Sequence, residues 1–375
     1  MKSSLNIAFF GSSLVSAYWN GAATYYRGII RSLHARGHRV TFFEPDAYDR
    51  QKHRDIDDPS WARVHVYRVG EGSSRHDGVM RALEEARGAD LIVKASGVGV
   101  FDDLLEAEVL NLRAPGTTVA FWDVDAPATL DRVENNASDL FRPLIPHYDF
   151  VFTYGGGDPV VSAYKKLGAR ACVPIYNALD PTTHYPVEPI AEYTADLAFL
   201  GNRLPDREAR VEEFFLKPAA MIPERRFLLA GNGWHDKSMP SNVHYVGHLY
   251  TKDHNVFNCS PAAVLNISRE SMARYGFSPA TRVFEAAGAG ACIITDAWQG
   301  VSHFFEPGQE ILVAASGDEV IDRLRELTPE RARAIGREAR RRVLFEHTYD
   351  HRAEELERAL DIPSKSKRTE AYDLA

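Results

Sequence analysis

The sequence predicts an α/β protein with two doubly wound domains that face a central cleft. Its 375 residues exceed the roughly 100–200 that one domain usually occupies. Short apolar runs alternate with helical patterns, as in parallel sheets covered by helices on both faces. The alternation restarts after Tyr185–Pro189, where two closely spaced prolines predict a linker or hinge. We therefore expect one domain at 1–184, a second at 185–345, and a final helix and tail at 346–375.

The first half carries the elements of one such domain. Its predicted strands are short and mostly apolar without strict alternation, which is typical of buried parallel strands. Gly37 stands at the position of a helix C-cap, where glycine is favoured. The predicted strands are Asn6–Phe10, Arg39–Phe43, Ala89–Lys94, Thr117–Trp122 and Asp149–Tyr154, and the predicted helices are Gly21–Arg36, Gly78–Arg87 and Pro159–Leu167.

The second half repeats this architecture and ends in a charged helical stretch, Pro329–Leu360. Open parallel sheets bind ligands at the carboxyl ends of their strands, so we expect the functional residues in the loops that follow the strands. The predicted strands are Ala195–Leu200, Arg226–Ala230, Val243–Val246, Ala263–Ile267 and Ala291–Thr295.

Composition and charge narrow the class of function. A hydrophobic fraction of 45% and a charged fraction of 26% provide enough apolar residues for folded cores. The formal net charge of -8 argues against a surface built to hold a nucleic-acid backbone. The 3 cysteines have neither the spacing of a zinc site nor the density of a disulfide framework, which predicts a reducing, cytoplasmic setting.

The N-terminal apolar run does not predict a membrane segment. A bilayer span needs about 20 apolar residues, and Leu5–Phe10 ends at Gly11. The stretch that follows offers no clear cleavage site for a signal peptide. We interpret the run as the first core strand and expect no membrane span.

The segment around Arg282 predicts an anion site. Ser278 is expected to be a helix N-cap, followed by Pro279 at the first helical position. The N–H groups at that end of the helix suit a phosphate, and Arg282 in the first turn adds a bidentate donor. Glu285 lies on the same face and could accept hydrogen bonds from a ribose diol. A plain ion pair between Arg282 and Glu285 on a buried helix would explain the same pattern without a ligand.

Several motifs taken together resemble the C-terminal domain of CgeB-like glycosyltransferases. This group is named for a spore-maturation protein and is part of the wider group 1 glycosyltransferases. The resemblance runs in order from about Asn177 to Arg352, and the first half of the chain fits only in its pattern. The motifs are Asn177–Pro181, Phe199–Asn202, Ala230–Trp234, Tyr245–Tyr250, Leu265–Met272, Ser278–Ala287 and Phe304–Val313.

The resemblance implies a GT-B fold with two Rossmann-like domains and a C-terminal helix that crosses back to the first domain. It also implies a nucleotide-sugar donor, with UDP favoured, held mainly by the second domain. Glu285 matches the glutamate that contacts the donor ribose. The family carries an Arg and a Lys on the donor diphosphate in the loop that begins at Gly201. In this chain Asn202, Arg203 and Arg207 stand there, so Arg203 or Arg207 takes that role.

Gly231, Asn232 and His248 are three further predicted positions of the donor site. Phe277 departs from the family pattern. Gly231 and Asn232 lie in the Ala230–Trp234 motif, and His248 lies in a loop that could flank the nucleobase. Group 1 retaining enzymes often carry a glutamate at the position of Phe277. The resemblance therefore implies no stereochemical outcome for the transfer.

The loop at Gly11 and Ser12 follows the first predicted strand. Group 1 enzymes place a glycine-rich loop there, against the donor phosphates and the acceptor. An ordinary strand-to-helix turn is the alternative interpretation. The loop has neither the GxGxxG nor the GxxxxGK[ST] pattern, which argues against a nicotinamide dinucleotide and against a P-loop ATPase.

Asp123 and Asp125 follow another predicted strand and have three interpretations. One carboxylate could deprotonate the acceptor hydroxyl as a general base. The pair could instead hold Mn²⁺ or Mg²⁺ on the diphosphate, or simply cap a loop. We favour the base, because arginines and a helix N-terminus can neutralise the departing diphosphate without a metal. We accordingly predict no metal and no cofactor.

The sequence therefore predicts a cytoplasmic, metal-independent glycosyltransferase. It would move a sugar from a nucleotide-diphosphate donor to an unidentified hydroxyl or amine of a glycan, small molecule or protein. A nucleotide-sugar epimerase of the same fold and a non-catalytic coat or scaffold protein remain alternatives. A DNA-base glucosyltransferase is a third alternative, against which the acidic net charge counts.

Overall fold

The computed structural model describes residues 4–363, which form two compact units. The first unit contains residues 4–176 and 349–363, and the second contains residues 177–348. The predicted tail at 364–375 lies outside the described residues. Among the residues described, no helix combines the length and the apolar character needed to cross a bilayer.

The first unit is built on a parallel sheet of seven strands in the order β3-β2-β1-β4-β5-β6-β7. The chain reverses its winding direction between β1 and β4, as in doubly wound folds. The strands are β1 Asn6–Phe10, β2 Arg39–Asp46, β3 Arg63–Arg68, β4 Leu91–Ala95, β5 Thr118–Asp123, β6 Phe150–Thr153 and β7 Cys172–Pro174. The helices are α1 Ala23–Ala35, α2 Asp77–Glu85, α3 Asp102–Glu108, α4 Ala126–Asn135 and α5 Gly157–Lys166, and α14 Tyr349–Ala359 joins them from the end of the chain.

The second unit repeats the plan with six parallel strands in the order β10-β9-β8-β11-β12-β13. The strands are β8 Leu197–Leu200, β9 Phe227–Ala230, β10 Val243–Tyr245, β11 Ala263–Asn266, β12 Ile293–Asp296 and β13 Leu312–Ala314. The helices are α6 Pro205–Val211, α7 Lys217–Met221, α8 His254–Cys259, α9 Glu270–Tyr275, α10 Thr281–Gly288, α11 Val301–Phe304, α12 Gly317–Glu326 and α13 Pro329–Glu346, with a π-helical turn Glu212–Leu216 between α6 and α7. Short 3₁₀ turns lie at Arg50–His53, Gly72–Ser74, Val109–Leu112, Arg142–His147, Ala191–Tyr193 and Thr251–Asp253.

All ten predicted strands are found, and three further strands were missed. All five residues of β4 are buried, because both faces of the central strands are covered. The sequence analysis missed β3, β7 and β13, which are outermost in their sheets. β3 is mostly exposed or half-buried, and β7 and β13 have 3 residues each. The sequence signal of β3 is weak because its residues alternate between charged and apolar types, whereas β13 lies in the apolar run Ile311–Ala315 and was overlooked.

The predicted linker at Tyr185–Pro189 is wrong. The backbone N–H groups of Tyr185, Val187 and Ile190 donate to Asn255 Oδ1, Cys259 Sγ and Ser260 Oγ. This segment is therefore part of the second unit. The second unit begins at Asn177, whose side-chain amide donates to the carbonyl oxygen of Pro279 at 3.2 Å.

The predicted helical stretch Pro329–Leu360 consists of two helices, α13 and α14, separated at His347 and Thr348. The Leu179 N–H donates to the His347 carbonyl oxygen at 2.8 Å, and Leu179 pairs with Thr348 as an isolated bridge. These contacts pull the backbone out of the helix between α13 and α14. The following helix, α14, packs on α1, so the C-terminal helix returns to the first unit as predicted.

A buried ion cluster and a close contact hold α14 on the first unit. The Glu357 carboxylate accepts hydrogen bonds from Arg36 Nη2 at 2.7 Å and from His38 Nε2 at 3.0 Å. Burial opposes ionisation of Glu357, but the bonds from Arg36 and His38 outweigh it and lower its pKa. At the other end of the contact, Gly28 lies directly against the ring of Tyr349.

We expect Gly28→Ala to destabilise the first unit by about 1–3 kcal/mol, the usual cost of overpacking a core. An added Cβ would lie 2.1 Å from the buried Tyr349 ring, which overrides the gain of about 1 kcal/mol in helix propensity. Urea unfolding followed by circular dichroism measures this change. Gly21→Ala is the matched control, because a Cβ there meets nothing within 4 Å. Equal stability of the two variants would contradict the contact.

Candidate functional site

The candidate site lies at the carboxyl edge of the second sheet. The strands of this sheet are parallel, so the loops after them meet at one edge. Gly201 follows β8, Gly231 follows β9 and His248 lies in the loop after β10. The N-terminal end of α10 carries Arg282 and Glu285.

Two glycines fix the first two of these loops against each other. Gly231 has a φ of 122°, and a Cβ there would lie 2.2 Å from the Gly201 carbonyl oxygen. Trp234 Nε1 donates to the same oxygen at 2.7 Å. The Asn202 side chain accepts the Asn232 N–H at 2.9 Å. Only glycine at 231 permits this approach, so the two loops act as one rigid support.

Arg203 belongs to that support. Its guanidinium donates to Glu208 Oε1 at 2.7 Å and to Asp236 Oδ1 at 2.9 Å. Lys237 donates to the same oxygen of Glu208 at 2.8 Å. The charge of Arg203 is therefore matched by two carboxylates within the described residues.

Arg207 and Arg282 form the positive part of the site. The Arg207 Nη1 atom lies 3.1 Å from the position of a Cβ on Gly201. Burial and the charge of Arg207 lower the pKa of Arg282 to about 10, against the opposing effect of Glu285. Arg282 Nε is buried with no hydrogen-bond partner in the described part of the chain, and its guanidinium lies 5.8 Å from the Phe199 ring centroid. A buried guanidinium close to a second one favours an anion.

The start of α10 differs from its prediction. The helix begins at Thr281 with Ala280 as N-cap, and Ser278 does not cap it. The Ser278 hydroxyl instead donates to the Gly276 carbonyl oxygen at 2.9 Å. Ala280 has no side-chain oxygen, so it cannot accept the first N–H groups of the helix. Arg282 still lies in the first turn, as the anion site requires.

Two histidines that were not assigned to the site lie beside Glu285. His184 Nε2 is 3.9 Å from Glu285 Oε1, and the rings of His184 and His254 are 6.3 Å apart. One ligand atom from each of the three residues lies within 4.8 Å of the others. Burial is the main cause that lowers the pKa of His254, which favours the neutral imidazole. No local motif could have predicted this cluster, because its members are distant in sequence.

His248 and Asn232 line the exposed rim. Asn232 Nδ2 lies 3.2 Å from His248 Nδ1, and the His248 ring meets Tyr250 edge to face at 4.7 Å. The Gly231 N–H donates to the Gly247 carbonyl oxygen at 2.7 Å. The structure thus brings together the predicted residues Gly201, Asn202, Gly231, Asn232 and His248 at one edge.

Phe277 has an unusual backbone conformation. Its φ is 45°, a left-handed backbone uncommon for a bulky residue. Its N–H donates to the Gln299 carbonyl oxygen at 2.6 Å, and its ring lies against Gly300. The ring therefore packs on the loop after β12.

Gly11 and Ser12 lie in the first unit and are held by local contacts. A Cβ on Gly11 would lie 2.4 Å from the Phe42 ring, so packing alone requires glycine. The buried Ser12 hydroxyl donates to Asn20 Oδ1 at 2.9 Å, and Arg50 donates to the Ser12 carbonyl oxygen at 3.2 Å. These contacts match the alternative interpretation of the loop as a strand-to-helix turn.

The structure argues against Asp123 as a catalytic base or metal ligand. Asp123 is fully buried, and burial raises its pKa despite the hydrogen bonds it accepts. Asp125 is half-buried and is the N-cap of α4. The Asp123 carboxylate is fully engaged inside the unit, with donors from Ser96 Oγ at 2.8 Å, the Asp125 N–H at 3.0 Å, Thr129 Oγ1 at 3.0 Å and the Tyr164 hydroxyl at 2.5 Å.

Comparisons with known proteins agree on the fold. Residues 207–358 match a family model described as glycosyl transferase-like. No curated protein matches the sequence. Sucrose-phosphate synthase from Thermosynechococcus elongatus is 14% identical with a TM-score of 0.69, over 95% of this chain and 98% of that chain.

Two further solved structures cover 95% of this chain and 99% of their own. HepE from Anabaena, in complex with UDP and glucose, is 13% identical with a TM-score of 0.66. An α-glucosyltransferase in complex with UDP-glucose and DNA containing an abasic site is 14% identical with a TM-score of 0.68. Likeness at these identities shows the fold alone, which is GT-B as the sequence predicted.

We expect Asp123→Ala to lower the free energy of unfolding by about 3 kcal/mol or more, because it leaves several buried donors unpaired. Urea unfolding measures the loss. Asp131→Ala is the control: this exposed carboxylate accepts only a helical bond from Asn135 and should change stability by less than about 0.5 kcal/mol. An Asp123→Ala variant as stable as the control would restore Asp123 as a candidate base.

Proposed function

We propose that the protein is a metal-independent glycosyltransferase that uses a UDP-linked sugar. The observation behind this proposal is that Arg282 lies close to Arg207 and one helical turn before Glu285 in α10. The pair offers two fork-shaped donors to a diphosphate, and Glu285 offers acceptors to a ribose. The family match at residues 207–358 and the UDP complexes of structures with this fold support the same donor class. The motifs favour the CgeB-like group.

We assign the diphosphate, the ribose and the base of the donor to three groups of residues in the second unit. The diphosphate lies on Arg207, Arg282 and the N-terminal end of α10. The ribose hydroxyls donate to Glu285. The base lies toward His248, on the loop after β10. The rigid glycine contact between the loops after β8 and β9 keeps these groups in place before the donor arrives.

The reaction is a group transfer to a hydroxyl or amine. The bond between the anomeric carbon and the β-phosphate oxygen breaks, and that carbon forms a bond to the acceptor oxygen or nitrogen. The acceptor loses a proton, and UDP leaves with the bonding electron pair. Arg207, Arg282 and the helix end stabilise the charge that develops on the diphosphate, so the proposal needs no metal.

The acceptor is assigned to the first unit. With Asp123 buried, Asp125 is the remaining predicted carboxylate for the acceptor proton, at the carboxyl end of β5. A base at this position would act on a hydroxyl or a protonated amine. The acceptor can be a glycan, a small molecule or a protein.

The diphosphate contact is tested by comparing UDP with uridine in calorimetric titrations. We expect wild type to bind UDP more tightly than uridine, and Arg207→Gln and Arg282→Gln each to weaken UDP by about 10-fold or more. Uridine binding should change little in these variants. Arg226→Gln is the control, because Arg226 precedes β9 at the opposite edge of the sheet. Equal affinities for UDP and uridine in wild type would contradict the diphosphate site.

The ribose contact is tested separately by Glu285→Ala. We expect wild type to bind UDP more tightly than 2′-deoxy-UDP, because the deoxy sugar leaves a carboxylate oxygen unpaired. The Glu285→Ala variant should bind both nucleotides with equal, weaker affinity in the same titrations. Discrimination that persists in the variant would place the ribose elsewhere.

A further inference from the structure

We propose that His184, His254 and Glu285 form a binding site for a transition-metal ion of the Zn²⁺ class. Two imidazoles and one carboxylate are a common zinc ligand set that leaves a fourth position open. All three residues belong to the second unit, so the site is complete within it. The proposed glycosyl transfer does not use this ion.

The distances suit a site that closes slightly around an ion. The three ligand atoms lie within 4.8 Å of one another, and His184 Nε2 is 3.9 Å from Glu285 Oε1. Tetrahedral zinc with bonds of about 2.0–2.2 Å needs ligand atoms about 3.3–3.6 Å apart. Ion binding therefore requires small rotations of all three side chains, of which Glu285 is 15% exposed.

Both imidazoles have the outer contacts that metal ligands need. His184 Nδ1 lies 3.0 Å from Thr183 Oγ1, which leaves Nε2 directed at Glu285. His254 hydrogen-bonds to the backbone of Leu249. Such outer partners orient metal-binding imidazoles. His184 is buried and His254 is half-buried, so protein atoms surround much of both rings.

The positive charge of Arg282 near the three ligands favours some metal ions over others. Arg282 lies close enough to Glu285 and His254 to influence both, and its positive charge disfavours a cation held only by charge. Mg²⁺ and Ca²⁺ depend on oxygen ligands and charge, so they should bind poorly. Zn²⁺ and Co²⁺ bind imidazole nitrogen strongly and can overcome this repulsion.

The ion should compete with a nucleoside for Glu285. A carboxylate that coordinates Zn²⁺ no longer has the same oxygen for the ribose hydroxyls. This competition, unlike the metal site itself, rests on the proposed function. We therefore expect Zn²⁺ to inhibit binding of the donor.

Calorimetric titration of tag-free protein with Zn²⁺ tests the site, with Co²⁺ absorption spectra as a second readout. We expect one tight equivalent in wild type and at least about 10-fold weaker binding in His184→Ala and in His254→Ala. His244→Ala is the matched control, because His244 is an exposed histidine of the same unit, in β10. Thermal melts without metal show that each variant is folded.

Wild type that binds Zn²⁺ no more tightly than His184→Ala and His254→Ala would overturn the site, and so would equal binding of Mg²⁺. Competition is measured with uridine, since the diphosphate of UDP itself binds Zn²⁺. Saturating Zn²⁺ should weaken uridine binding about 10-fold or more; unchanged binding would overturn the competition. Failure of uridine to bind without Zn²⁺ would count against the proposed donor site and leave the metal site standing.

Discussion

The candidate site depends on one close backbone contact, between Gly201 and Gly231. A side chain at 231 would overlap the Gly201 carbonyl group, and the backbone there has a φ of 122°. The contact joins the loops after β8 and β9, and Trp234, Asn202 and Arg203 add side-chain bonds across the same junction. The short path from Gly201 to α6 then brings Arg207 toward Arg282. Preorganisation of this kind lets charged groups meet a ligand with little further ordering.

Charged residues near the strand ends have different roles in the two units. Asp123, at the end of β5, is enclosed by four donors and stabilises the fold. Arg282 lies at the corresponding end of the second sheet, where burial and the charge of Arg207 make its ionised form costly. A buried charge that the protein itself satisfies is a structural element, whereas one left only partly balanced favours a ligand of opposite charge.

Much of the fold could be predicted because its signals are local. Fully buried strands such as β1 and β4 show as apolar runs, and the return of α14 follows from the family resemblance. The edge strands β3 and β7 were missed because β3 is half-exposed and rich in charged residues and β7 has only 3 residues, and β13 was missed although it lies in an apolar run. The prolines near Pro186 indicated a linker, but contacts with α8 make this segment part of the second unit.

The sequence by itself determined the α/β class, the repeated doubly wound plan and the placement of Arg282 and Glu285 on one helical face, because periodicity and spacing are properties of neighbouring residues. Only the tertiary structure paired Arg203 with Glu208 and Asp236, since these carboxylates reach Arg203 through the folding of two loops. Only the tertiary structure placed His184 and His254 beside Glu285. These outcomes depend on distances between residues far apart in the chain, which parallel strand order sets and local sequence does not encode.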